Sequence, residues 1–305
     1  MKLYAPKYYK SFSCIADKCT HSCCVGWEID IDDIAMKKYS SFTCGYGKTV
    51  ADSIEAADTP FFRLLPDGRC PHLAENGLCR IITELGEEQL CDICREHPRF
   101  YNDTALGKEV GLGMACEEAC RIILSSDGYG NITEISELGE DTRECEFNIL
   151  PLRERVYSLL SDSAVEYDVR LSNIGKEFGV SLTVLSLAEW RDIISSFEYL
   201  CPASKEIFLE FDPCVSTPAG CEKILERALA YYVYRHCSSA CDEGSFVAAL
   251  GFCLFCERLL ALLLSSEKAS CVEDAVRPAR IISEEIEYSE DNTEAVISEL
   301  SFALL

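Results

Sequence analysis

Apolar positions along the chain change their pattern near residue 150. From there on they recur at helical spacing: Leu150, Val156 and Leu159 with Leu160 open a stripe, and SLAEWRDIISSFEYL (186–200) and CEKILERALAYYVYRHC (221–237) continue it. In the second segment Tyr231 and Tyr234 share a face, with Arg235 four residues from Tyr231, which predicts a packed core face. VAALGFCLFCERLLALLLSS (247–266) is apolar all round and long enough to span a bilayer. Glu257 and Arg258 at its centre would each be costly in lipid, so it is expected as a buried helix of a soluble domain, with no membrane partner. The tail, ARIISEEIEYSEDNTEAVISELSFALL, predicts two helices, the second capped by Asp291 or Asn292. A bundle of five to seven helices follows.

The first 150 residues read differently. Short elements lie between turns, with GYG at 45–47 and PDG at 66–68 as turn signals. Continuous apolar periodicity is scarce, so the core is hard to complete from side chains alone, and a bound metal would there contribute folding free energy directly. The expected fold is mainly α: a cysteine-rich, loop-rich metal-binding module over 1–150 packed on an α-helical bundle over 151–305.

Composition narrows the chemistry. The chain has 305 residues and a formal charge of -24, which excludes a mode of action built on neutralising phosphates, hence no nucleic-acid partner. The opening MKLYAPKYYKSFSC has Lys2, Lys7 and Lys10 but no apolar run, so it does not read as a signal peptide, and a cytoplasmic location is expected. There thiols stay reduced, and 20 cysteines point to metal or redox work rather than to disulfide staples.

Twelve of the cysteines precede residue 151, in two blocks with additions. The first is Cys14-x4-Cys19-x3-Cys23-Cys24; the second is Cys70-x8-Cys79-x11-Cys91-x2-Cys94, with Cys116 and Cys120 further on. A Cys-x2-Cys pair lets two sulfurs face one ion, and four thiols in each block suffice for two tetrahedral sites or two cubane clusters. All-thiolate coordination suits zinc and iron alike, so that choice stays open. The Cys-x3-Cys-x2-Cys pattern of radical enzymes that cleave S-adenosylmethionine is absent: Ile123 and Gly26 stand where the third thiol would be. Cys44, Cys145 and the eight cysteines after residue 200 read as small buried hydrophobes. His21 and His97 are possible zinc ligands; for these, His72 and His236 the other reading is polar surface or hydrogen bonding behind a metal site.

With FSCIADKCTHSCCVGWEIDID, CPHLAENGLCRIITELG, LCDICREHPRFYN, ACEEACRIIL and SEEIEYSEDN in view, the chain resembles the flagellin lysine N-methylase family, which is related to bacterial cysteine-cluster proteins of zinc or iron-sulfur type. The resemblance runs from about residue 4 to the tail, with no matching motif over about 125–215. It implies cluster positions at Cys14, Cys19, Cys23, Cys24, Cys70, Cys79, Cys91, Cys94 and Cys116. It also implies methyl transfer from S-adenosylmethionine to lysine side chains of flagellin, with an iron-sulfur cluster (alternatively zinc) as the second cofactor. Tyr288 stands where the family would have a His, and Cys120 is an extra thiol.

Such a reaction needs a deprotonated lysine and a site for a sulfonium, which carboxylates and aromatic faces stabilise. Glu285, Glu287 and Tyr288 are the catalytic candidates, and Trp27 with Glu28 the candidates for the cofactor. Gly107-x3-Gly111-x-Gly113 and Gly128-x-Gly130 read as lacking a strand-turn-helix setting, which argues against a doubly wound cofactor-binding sheet. The competing reading is a non-enzymatic cysteine-cluster protein for metal handling, sensing or protein binding.

Overall fold

A computed structural model describes residues 2–137 and 147–304, so Cys145 lies outside the described residues. It is mainly helical, in agreement with the periodicity, and consists of two compact units: 13–98, and 1–12 together with 99–305. The division falls at 98, not at 150. Residues 99–137 belong with the helices because their strands complete a sheet that begins with the first strand of the chain.

In chain order the elements are β1 (Lys2–Pro6), α1 (Asp33–Ser40), α2 (Gly45–Asp52), β2 (Ile54–Glu55), β3 (Phe61–Phe62), α3 (Arg80–Leu85), α4 (Asp92–Glu96), β4 (Arg99–Asp103), β5 (Lys108–Leu112), α5 (Glu117–Ser125) and β6 (Ile132–Glu137). There follow α6 (Leu150–Leu160), α7 (Tyr167–Phe178), α8 (Leu187–Ser196), α9 (Pro202–Phe208), α10 (Glu222–His236), α11 (Glu243–Glu267), α12 (Val272–Ile282) and α13 (Glu290–Leu304). A π-helical turn, Ser283–Glu287, continues α12.

In the larger unit four strands form a sheet of order β4-β5-β1-β6, with β1 parallel to β5 and the other pairs antiparallel. The helices pack around α11, whose apolar window is 89% buried inside the unit. Glu257 and Arg258 do lie within that core, and they are tolerated as a pair, with Arg258 Nε donating to Glu257 Oε2 at 2.6 Å and Tyr167 Oη donating to Oε1 at 3.0 Å. Trp190 stacks on Phe255 at 5.0 Å. Sheet and helices are joined by a buried bidentate pair, Arg153 on α6 to Glu109 on β5, at 2.6 and 2.7 Å.

Two local expectations change. The tail helix starts at Glu290, and Ser289, not Asp291 or Asn292, supplies the cap: its Oγ accepts from Asn292 N at 3.2 Å. Asn292 is buried and instead donates to Glu198 O and Glu285 O, at 2.7 and 2.6 Å. In addition, Gly113 does stand in a strand-turn-helix setting, between β5 and α5. Its bare face is taken up by the protein, since a Cβ there would lie 2.2 Å from Tyr288 Oη and 3.0 Å from Arg235 Nη1.

The 13–98 unit has its own small core, formed by Ile29, Ile31, Tyr39, Val50, Phe62 and Ile81 among others, together with Cys70 and Cys91. One carboxylate starts two of its helices. Asp32 Oδ1 accepts from Ala35 N at the start of α1 (2.9 Å), and Oδ2 accepts from Asp92 N at the start of α4 (2.8 Å).

Candidate functional site

Four short pieces of backbone carry the thiols of the 13–98 core. Residues 24–26 run against 68–70, with Cys70 N donating to Cys24 O (2.8 Å) and Gly26 N to Gly68 O (2.9 Å). Both glycines have positive φ, +83° and +78°, where a side chain would be strained. A second turn, closed by Arg80 N to His72 O at 2.8 Å, returns Cys79 to the neighbourhood of Cys70. Cys91 precedes α4 and Cys94 lies one turn along it. Cys24, Cys70, Cys79, Cys91 and Cys94 thus share one core.

Backbone N–H groups are aimed at these sulfurs: Ile82 and Ile81 at Cys79, His72 at Cys70, and Cys94 at Cys91. Such bonds favour the thiolate. The hydrogen bond with Cys23 brings Cys24 down to about 7 against the opposing effect of burial. Cys91 is lowered by its bond with the Cys94 side chain, and Cys94 is pushed far up by the same bond and by burial. Burial raises Cys70 to about 12 and also raises Cys79. In the Cys91–Cys94 pair, one sulfur is therefore disposed to be an anion and the other to remain its proton donor.

Among the described residues no three His, Cys, Asp or Glu side chains stand in an arrangement that could hold a metal ion. The five thiols are gathered in one core without converging on one centre. Their donor chemistry, all soft sulfur with backbone N–H groups at Cys70, Cys79 and Cys91, fits a thiophilic metal.

The other sequence candidates distribute as follows. Cys14 and Cys23 are exposed and Cys19 is half-buried, all in the 13–98 unit, and Ala16 N donates to Cys14 Sγ at 3.4 Å. Cys116, directly before α5, belongs to the helical unit and is separated by the domain division from the other eight. Trp27 is half-buried and Glu28 exposed. His72 is neither surface nor ligand, because its ring nitrogens bond the hydroxyls of Tyr46 and Ser53, each at 2.9 Å. Burial brings it down to about 4 and keeps it neutral. Packing accounts for Cys120, Cys221, Cys237, Cys253 and Cys256, which are fully buried, whereas Cys44, Cys201, Cys214, Cys241 and Cys271 are exposed.

The three catalytic candidates have different surroundings within the helical unit. Glu285 is a structural clamp whose carboxylate accepts from Leu200 N (2.7 Å) and Cys201 N (3.0 Å) ahead of α9. Glu287, at the end of the π turn, is enclosed: Oε1 lies 2.7 Å from His236 Nε2 and 3.6 Å from Arg235 Nε, and Oε2 accepts from Tyr231 Oη at 3.3 Å. Tyr231 Oη in turn accepts from Met114 N (3.2 Å) and Arg235 Nη1 (2.9 Å). Tyr288 and Phe100 flank the Arg235 guanidinium, with ring centres 4.4 and 5.2 Å away.

Burial would raise Glu287, but Arg235 and the His236 hydrogen bond outweigh it and hold the carboxyl below its ordinary value. Burial lowers His236 more than Glu287 raises it, which favours the neutral imidazole. Sequence reasoning missed His236 and Arg235 as members of this group. The one signal in the sequence is the placement of Arg235 four residues after Tyr231, a spacing that equally suits packing.

Over 127 residues the chain is 30% identical to the flagellar biosynthetic protein FliU of Salmonella muenchen, a match covering 39% of this chain and 75% of that protein. The chain belongs to the family of that protein. It is also 28% identical over 154 residues to lysine-N-methylases of Salmonella typhimurium and Salmonella choleraesuis, covering 48% of this chain. It spans 37% of the length of those two relatives. No family profile matches the chain. No solved structure matches it.

Proposed function

We propose that the protein transfers methyl groups from S-adenosylmethionine to lysine ε-amines of flagellin, in the cytoplasm. The observation that carries this reading is the 28% identity to lysine-N-methylases over 154 residues, joined to the family relationship with a flagellar biosynthetic protein. When bound, S-adenosylmethionine supplies an electrophilic methyl group on a cationic sulfur. Cys24, Cys70, Cys79, Cys91 and Cys94 would hold an iron-sulfur cluster, or zinc in its place, and the free energy of binding would add to the stability of a unit with a small core.

Incubation of the purified protein, reconstituted anaerobically with iron and sulfide, with flagellin and S-adenosylmethionine tests the reading. Mass spectrometry of the flagellin is expected to show increments of one methyl group on lysine. Flagellin without any such increment would refute it.

A further inference from the structure

We infer that His236, oriented by Glu287, is the general base that removes the proton from the substrate lysine. The inference rests on the lysine methyl-transfer reading and assigns a part of it that the family relationship leaves blank. Lysine ε-ammonium has a pKa of about 10.4, so on the order of one side chain in a thousand is a nucleophile near neutral pH. A positioned base is worth roughly a hundredfold to ten-thousandfold in such a step.

The geometry provides one. The Glu287 carboxylate is wholly enclosed, whereas the His236 side chain is 11% exposed, so the imidazole is the member of the pair that a substrate can reach. With its Nε2 at 2.7 Å from Glu287 Oε1, the neutral ring carries its proton on Nε2 and leaves Nδ1 as acceptor. The charged groups facing the ring are Glu287 from the π turn and Arg235 from its own helix, while α11 presents the Phe252 ring, at 4.8 Å.

Arg235 and Tyr231 hold the carboxylate in place, and Gly113 leaves room for Arg235 and Tyr288 to lie against the backbone. The Tyr232 hydroxyl, influenced by the same Glu287 carboxylate, is fully buried and unbonded among the described residues, a cost that proteins tend to keep at working sites. π turns likewise recur at such sites.

In the step, the ammonium gives one proton to His236 Nδ1. The freed pair on the lysine nitrogen forms the new N–C bond to the donor methyl while the donor's C–S bond breaks, its electrons remaining on sulfur. The imidazolium, stabilised by Glu287, then releases its proton to water.

The test follows methyl-transfer rate from pH 7 to pH 10 in the reconstituted full chain and in His236→Asn and Glu287→Gln. His236→Asn is expected to lower the rate at pH 7.5 by about 100-fold or more, with the deficit shrinking to within about tenfold near pH 10, where lysine loses its proton unaided. A His236→Asn profile that coincides with wild type, or a deficit unchanged across pH, would overturn the assignment. A wild type without methyl transfer at any pH would overturn the methylase reading and the base with it. Independently of activity, 15N spectra of the four histidines, with His236 identified by its loss in His236→Asn, should show the Nε2–H tautomer in wild type and a displaced signal in Glu287→Gln. An Nδ1–H tautomer at His236 in wild type would refute the proposal even if neither variant is active.

Discussion

The Glu109–Arg153 pair offers the sharpest test of how the sheet is tied to the helices. The carboxylate is 0% and the guanidinium 4% exposed, and two short hydrogen bonds join them, with Ser238 Oγ at 3.2 Å from Arg153 Nη1. Replacing Glu109 by Gln or Leu leaves a buried cation without its counter-charge, which costs about 3–5 kcal/mol. At roughly 2–4 °C per kcal/mol for a unit of this size, the melting point of the helical signal should fall by roughly 6–20 °C. Arg153→Met should cost a similar amount through the stranded carboxylate. The double variant Glu109→Leu/Arg153→Met removes both charges and should return to within about 2 kcal/mol of wild type, since an apolar pair of similar volume replaces a buried ion pair with little loss. Thermal and urea melts followed by circular dichroism give all four corners of the cycle. A double variant that loses the sum of the two single losses would show that the charges do not sustain each other, and the account of this contact would fail.

Three further outcomes are expected. Cys91→Ala or Cys94→Ala should abolish the visible thiolate-to-iron absorption of the reconstituted protein, or its bound zinc, whereas Cys237→Ala and Cys253→Ala should leave metal content unchanged; metal analysis decides, and loss in either of the latter would place the site in the helical unit. Asp32→Ala removes the shared cap of α1 and α4, at a cost of about 1–2 kcal/mol, and should speed the reaction of Cys94 with a thiol reagent; an unchanged rate would mean that α4 does not depend on it. In Gly113→Ala the new methyl group meets Tyr288 Oη, so the unit should lose about 1–3 kcal/mol and, on the functional reading, methyl transfer should slow. A melt indistinguishable from wild type would refute that steric argument.

The sequence by itself determined the helices after residue 150 and the concentration of thiols before it. Both are local properties: apolar spacing specifies a helix face, and Cys91-x2-Cys94 specifies two sulfurs one helical turn apart. It could not place the division of the chain, because β1 finds its partners in β5 and β6 more than 100 residues later, and short strands carry weak periodic signals.

It misplaced the tail cap for a related reason. Ser, Asp and Asn are all good caps, and the buried bonds of Asn292 to Glu198 and Glu285 settled which one served. Glu285, Glu287 and Tyr288 were legible as residue types, yet only packing separated a clamp on α9 from a carboxylate paired with an imidazole 51 residues away. Residue type and spacing fix what a group can do. Which partner it meets, and whether water reaches it, depends on contacts between distant segments, and only the tertiary structure decides those.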